Sequence, residues 1–170
     1  MRAAMLLIAG LSTACASTGA VPQPFPVPER SGAPGDRPRS ASTAPMRGFD
    51  GYDLVGTALS LRGVPYRNGG SDPTGFDCSG FTQYVFGQHG VALPRGVREQ
   101  FRAGMAIRPE EVRAGDLIFF SIDGAGASHV GIVVGGDEFV HAPSSTGVVR
   151  VERMGSSYWA PRFVGARRVS

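Results

Sequence analysis

The chain has 170 residues, room for one ordinary domain once processed or tethering segments are set aside, and its 42% apolar and 18% charged residues exclude a wholly disordered polypeptide. A pI near 9.3 points toward nucleic acid, yet all 17 basic residues are Arg, and five of them (Arg2, Arg30, Arg37, Arg39, Arg47) precede residue 48 against only Glu29 and Asp36. Residues 48–170 keep 12 of the 17 Arg and 12 of the 14 acids, and a neutral domain lacks the electrostatic footprint that phosphate binding requires, so nucleic acid is set aside as a partner.

In chain order, residues 1–15 read as an export signal. Arg2 supplies one positive charge, Ala3 to Leu11 form an apolar run, and Ser12, Thr13 and Ala14 are small residues directly before Cys15. The run is shorter than the about 20 residues of a permanent membrane helix. Its end resembles a bacterial lipobox, with Ser12 where Leu is usual and Leu11 one place early. That resemblance implies cleavage before Cys15 and lipid attachment to its sulfur. Ala16 in place of Asp implies, by the same resemblance, an outer-membrane anchor facing the periplasm. Residues 16–48 carry seven of the 13 prolines among Gly, Ser, Thr and Ala, the composition of a disordered, extended linker. The alternating stretch from Pro22 to Pro28 favours polyproline II.

The folded domain is expected over residues 49–170. Asp50 or Asp53 caps a first helix carrying Leu54, Val55, Ala58, Leu59 and Leu61, which Gly63 and Pro65 stop. A turn-rich stretch runs from Asn68 to Gly75. Asp77 then precedes a second helix with Phe81, Tyr84, Val85 and Gln88 on one stripe and Gly90 past its end. A short third helix spans Val97 to Ala103. After Glu111 the periodicity changes, and strands are expected at 117–120, 130–134, 138–142, 148–152 and 162–169. Helices first and strands afterwards indicate an α+β domain, N-terminal helices packed on a mostly antiparallel sheet of five to six strands.

Cys78 is the domain's single cysteine, so no disulfide forms within it, and a lone thiol in an exported protein calls for a reason. Behind the N-cap Asp77 it occupies the first turn of a helix, where the dipole and free N–H groups favour a thiolate while the Asp77 charge opposes it. Ser79 and Gly80 leave room beside the sulfur. A thiol nucleophile needs an imidazole to take its proton. His89, about 11 residues along the helix and so roughly 16 Å away, is expected to be a solvated C-terminal residue. His129 opens one strand and His141 lies in the next. With Gly135-Gly136-Asp137 as the hairpin loop, Val134 opposes Glu138 and Gly131 opposes His141. His129 then becomes the diagonal neighbour of His141 on one face, about 7–8 Å away at the backbone. A one-residue error in that loop would put the two rings on opposite faces. Gly131 between them keeps the patch free of a side chain.

Cys78, His129 as proton acceptor and His141 as the ring that orients it make the chemistry of cysteine acyl transfer. N–H groups at the helix start, with the Tyr66 phenol, are donors for the oxyanion. An open zinc site on the same three residues is the rival chemistry, and no acidic or cysteine ligand with recognisable spacing joins them.

Phe76-Asp77-Cys78-Ser79-Gly80-Phe81, Ser128-His129-Val130-Gly131-Ile132 and Phe139-Val140-His141-Ala142 resemble the three catalytic blocks of the NlpC-type cell-wall peptidases. Pro65-Tyr66 before Gly69-Gly70, Leu93-Pro94-Arg95, Ala114-Gly115-Asp116-Leu117 and Phe163 to Arg168 match in order, so the resemblance covers about residues 50–170. It implies a papain-like fold, a Cys78–His129–His141 triad, Tyr66 in the active site and Ser79 on the substrate side. It implies hydrolysis of peptidoglycan peptide amides, at D-glutamate–diaminopimelate or cross-link bonds, through a thioester and with no metal or organic cofactor. Arg67-Asn68, where an aromatic residue is frequent, bears on substrate preference. The partners are then a peptidoglycan peptide and, through the lipid anchor at Cys15, a membrane; a regulatory protein is left open. A non-catalytic wall-binding scaffold lipoprotein and an acyl transferase using the same nucleophile are the alternatives.

Overall fold

The structure, a computed structural model, describes residues 50–124 and 126–169. The expected leader at 1–15 with Cys15 and the linker at 16–48 lie outside the described residues. Asp50 caps the first helix, α1 (Gly51–Ser60), by accepting from the Tyr52 N–H. The second, α2 (Cys78–Gln88), is capped by Asp77, and the third, α3 (Val97–Arg102), is a short turn of helix. α2 is buried over a broader face than a single apolar stripe: Ser79, Gly80 and Thr82 go in with Phe81, Val85 and Phe86, whereas Gln88 is exposed. Small residues at its start permit that burial. A Cβ on Gly80 would lie 2.0 Å from the Gly70 carbonyl oxygen, so the helix start presses directly on the preceding turn.

The main sheet has six antiparallel strands in the order β3-β8-β4-β5-β6-β7: β3 (Met105–Ile107), β4 (Leu117–Phe120), β5 (His129–Gly135), β6 (Glu138–His141), β7 (Arg150–Arg153) and β8 (Phe163–Arg168). This is the expected α+β architecture. β3, three residues long, was not foreseen as a strand; it pairs with β8 at the sheet edge. The turn-rich stretch contains a second, two-stranded sheet, β1 (Ser71–Asp72) with β2 (Gly75–Phe76). The expected strand at 148–152 divides. Only Arg150–Arg153 pairs with β6, while residues 147–149 bond to 63–66: Tyr66 N–H donates to the Gly147 carbonyl at 2.7 Å and Val149 N–H to that of Val64 at 2.8 Å. Those bonds hold Tyr66 beside Phe76, its bridge partner, next to the start of α2.

Both faces of the sheet are covered. Leu117, Phe119, Val130, Ile132 and Val140 point to the helix side and pack with Leu54, Ala58, Phe81, Val85 and Phe86. Ile118, Phe120, Val133 and Phe139, of the opposite parity, form a smaller cluster with Trp159. Each fully buried Phe contributes roughly 1.5–3 kcal/mol. The second cluster is what hides the far side of the histidine strands from water.

The β5–β6 hairpin reaches the expected pairing by a different route. Gly135 opposes Glu138 across a two-residue loop, one residue shorter than expected, and by itself that would slip the register. A bulge at Val134 absorbs the difference, so Val133 opposes Phe139 and Ile132 opposes Val140. Continued along the strands, this register puts His129 and His141 on one face.

Candidate active site

Cys78 is the first residue of α2, and the backbone there is fixed from several directions. The Asp77 carboxylate accepts from Gly80 N–H at 2.7 Å, Gly69 N–H at 3.0 Å and Arg95 Nη1 at 2.9 Å. Arg95 Nη1 also donates to Ser79 Oγ at 2.8 Å. Beneath them the fully buried Gln100 donates its amide N–H groups to the carbonyls of Ser79 (3.0 Å) and Pro94 (2.8 Å) and accepts from the Thr82 hydroxyl (2.7 Å). Burial raises the Asp77 carboxyl, but the Arg95 bond and the Gly80 N–H outweigh it, and the group titrates below its ordinary range.

The thiol responds in the opposite direction. Burial, and then the Asp77 charge, push the Cys78 pKa up, while N–H groups of Val130, Ser79 and Cys78 itself pull it down. The net rise corrects the expectation that the helix start would favour a thiolate: removal from water is the larger effect. The Val130 N–H brings the sulfur against the first residues of β5, one position from His129. Tyr66 is raised too, by burial and then by the neighbouring Cys78 and Asp77.

His129 and His141 lie on the Trp159 side of the sheet. His129 Nε2 and His141 Nδ1 are 2.7 Å apart, with the rings perpendicular. His129 stacks on the Trp159 indole at 5.3 Å between centroids, and His141 meets the same indole edge-on at 5.1 Å. Burial lowers the pKa of His129 to about 4. For His141, burial and then the charges of His129 and Arg150 lower it to about 2. Both imidazoles are therefore neutral at pH 7. Gly131 leaves the room its position promised: a Cβ there would lie 2.7 Å from Phe139 Cδ2 and 3.1 Å from His141 Cβ.

The structure thus brings Cys78, His129, His141, Tyr66 and Ser79 to one end of the domain, where β5 meets α2. Cys15 lies outside the described residues. His89 is not simply solvated: its Nε2 is 2.8 Å from Thr57 Oγ1 and ties α2 to α1. Among the described residues no group of three or more His, Cys, Asp or Glu side chains is arranged to hold a metal ion. Sequence reasoning gave no role to Arg95, Gln100, Glu152 or Trp159. Each acts across a long stretch of chain, and only the Leu93-Pro94-Arg95 block carried a signal. A half-buried neutral thiol beside a buried neutral imidazole can pass a proton to that imidazole as the sulfur attacks a carbonyl carbon.

The model of the NlpC/P60 family matches residues 63–168. Over 109 residues the chain is 45% identical to the Murein DD-endopeptidase MepS/Murein LD-carboxypeptidase of Escherichia coli (strain K12), covering 64% of this chain and 57% of that protein. Over 121 residues it is 38% identical to the Gamma-DL-glutamyl hydrolase of Bacillus subtilis (strain 168), covering 69% of this chain and 29% of that one. The chain therefore spans between about a third and just over half the length of these relatives. Among solved structures, an NlpC/P60 family protein from Bacillus cereus ATCC 10987 superimposes with a TM-score of 0.67 at 35% identity, over 71% of this chain and 40% of that one. Matched along almost the whole folded domain and alike in fold, this chain belongs to the NlpC/P60 family.

Proposed function

We propose that the protein is a cell-wall hydrolase that cleaves amide bonds in peptidoglycan peptides through Cys78, His129 and His141. The observation that carries the reading is the 2.7 Å contact between the two imidazoles beside a thiol that accepts the N–H of Val130. The relatives' names supply the substrate class. His129 takes the Cys78 proton as sulfur attacks the carbonyl carbon. N–H groups at the start of α2, with the Tyr66 hydroxyl, receive the oxyanion. The His129 imidazolium protonates the departing amine, leaving a thioester on Cys78. Water, deprotonated by His129, then releases the acid and regenerates the thiol. The substrate-side role of Ser79 rests on the family resemblance; its buried hydroxyl is held by Arg95 next to the sulfur. The scissile bond is a D-glutamate–diaminopimelate or cross-link amide.

We further propose that residues 1–15 export the chain, that Cys15 carries lipid in the outer membrane facing the periplasm, and that residues 16–48 tether the domain within reach of the wall. The small residues before Cys15 and the proline-rich composition after it support this.

The test is mass spectrometry of muropeptides after the purified full-length chain is incubated with cell wall, beside Cys78→Ala, with and without a chelator. New fragments that need Cys78 and survive chelation support the proposal and name the bond. Wall binding without cleavage by either protein replaces it with the scaffold reading, and amide products in place of free carboxylates replace hydrolysis with transfer. In the producing cells, fatty-acid label should enter the chain and be lost in Cys15→Ser; label that persists in the variant overturns the anchor.

A further inference from the structure

His141 Nε2 is fully buried without a hydrogen-bond partner. The facing acceptor is Glu152 Oε2, 3.8 Å away on the neighbouring strand. His141 opposes Arg150 and Phe139 opposes Glu152 across β6 and β7, so Glu152 is diagonal to His141. His129, His141 and Glu152 thereby form a diagonal line over three adjacent strands. The carboxylate is itself held in place. The Trp159 indole N–H donates to Oε2, and Arg150 Nε lies 3.1 Å from Oε1. That same indole stacks on His129. A separation of 3.8 Å is too long for a hydrogen bond and too short to admit a bridging water, so closure needs only a small rotation of the Glu152 side chain.

We propose that Glu152 is a positioning residue that sets the tautomers of both histidines through His141. The inference rests on the hydrolase reading above. Only one proton fits between His129 Nε2 and His141 Nδ1, and it has two placements. If His129 donates, its other ring nitrogen is bare and able to take the thiol proton, and His141 must carry its proton on Nε2. If His141 donates, the other nitrogen of His129 carries hydrogen and cannot act as the base, and His141 presents a bare Nε2 lone pair to the carboxylate. A carboxylate beside Nε2 favours the N–H form and repels the lone pair, so Glu152 selects the arrangement in which His129 is the base. When His129 becomes positively charged during attack, the same carboxylate lies behind it on the line of charge transfer. Arg150, the other charged group facing His141, is engaged with Glu152 Oε1 and leaves Oε2 directed at the ring.

The test uses full-length protein with ¹⁵N-labelled histidine. The wild type should show His141 protonated at Nε2 and His129 at Nε2, with both tautomers mixed in Glu152→Ala. With wall peptide as substrate, Glu152→Ala should lower kcat about 10- to 100-fold with KM within about threefold, and Glu152→Asp should recover part of the loss. Should the alanine variant not fold, Glu152→Gln carries the same readouts, with a smaller loss because its amide oxygen still accepts. His141 protonated at Nδ1 in the wild type overturns the proposal, as do unchanged tautomers and kcat in a folded variant. The nitrogen shifts need no substrate, so a protein that cuts no wall peptide refutes the hydrolase reading while leaving the tautomer question decided on its own terms.

Discussion

Asp77 and Glu152 are the two carboxylates that flank the site, and they are held in opposite ways. Asp77 sits on the helix side with its oxygens filled by two backbone N–H groups and a guanidinium that is 40% exposed. Glu152 sits on the sheet side against an indole and faces a ring from which water is wholly excluded. The helix side is organised by polar bonds that also cap a helix; the sheet side is organised by burial of rings. The two converge on one electrostatic outcome. Burial raises the thiol and lowers His129 to about 4, so the pair rests as neutral thiol and neutral imidazole, and proton transfer belongs to the attack step.

The sheet side breaks most readily with acid. Unfolded, a histidine takes up its proton near 6.5; folded, His129 resists until about 4 and His141 until about 2. Protons therefore bind the unfolded chain preferentially below 6.5, and stability is lost as pH falls through that window, by up to about 1.4 kcal/mol per pH unit for each ring. Between pH 7 and 5 the two rings together should cost roughly 4 kcal/mol, seen as a lower urea midpoint. The helix-side carboxylate Asp77 joins in only nearer pH 4, since its folded pKa is lowered. A flat midpoint from pH 7 to 5 would show that the rings protonate within the fold and that burial does not govern this side.

Packing on the sheet side is the next thing to disturb. Gly131→Ala pushes a methyl into Phe139 and His141 and should cost about 1–3 kcal/mol in urea unfolding, with kcat lowered as His141 is displaced. Gly56→Ala, in α1 with nothing within 4 Å of the new carbon, is the matched control and should stabilise by about 0.5–1 kcal/mol. Equal stabilities for the two variants would show that the hairpin yields and that Gly131 is not a packing requirement.

How much of this was legible depends on the range of each interaction. Asp77 before Cys78 announces itself because a cap acts over three residues. The shared face of His129 and His141 follows from strand parity, though the loop is one residue shorter than the glycines suggest. A bulge at Val134 restored the register, and nothing in Val-Val-Gly-Gly marks one. β1 and β2 are two residues each and β3 is three, too short for alternation to show. Val148 carries strand character but spends it on Pro65 rather than on β6. Gln100 and Glu152 look like ordinary solvated residues in sequence. Their importance comes from partners about 20 and 11 positions away, Ser79 and His141, which only the folded chain supplies.

The finest distinction between the two sides is whether Asp77 is there for its charge or for its shape. Asn caps a helix about as well as Asp, so Asp77→Asn keeps the Gly80 N–H bond on Oδ1, but the amide NH2 that replaces Oδ2 no longer accepts from the Gly69 N–H or from Arg95, a loss of about 1–2 kcal/mol. Its charge, however, is one of the causes that raise the Cys78 thiol, and its removal frees Arg95 from its partner. Both changes favour thiolate. The pH midpoint for alkylation of Cys78 by iodoacetamide should therefore move down in the variant, while urea stability falls by only about 1–2 kcal/mol. A midpoint that stays put or rises would mean that burial alone sets the thiol. Asp77 would then serve only as a cap, and the helix side would be governed by the same desolvation as the sheet side.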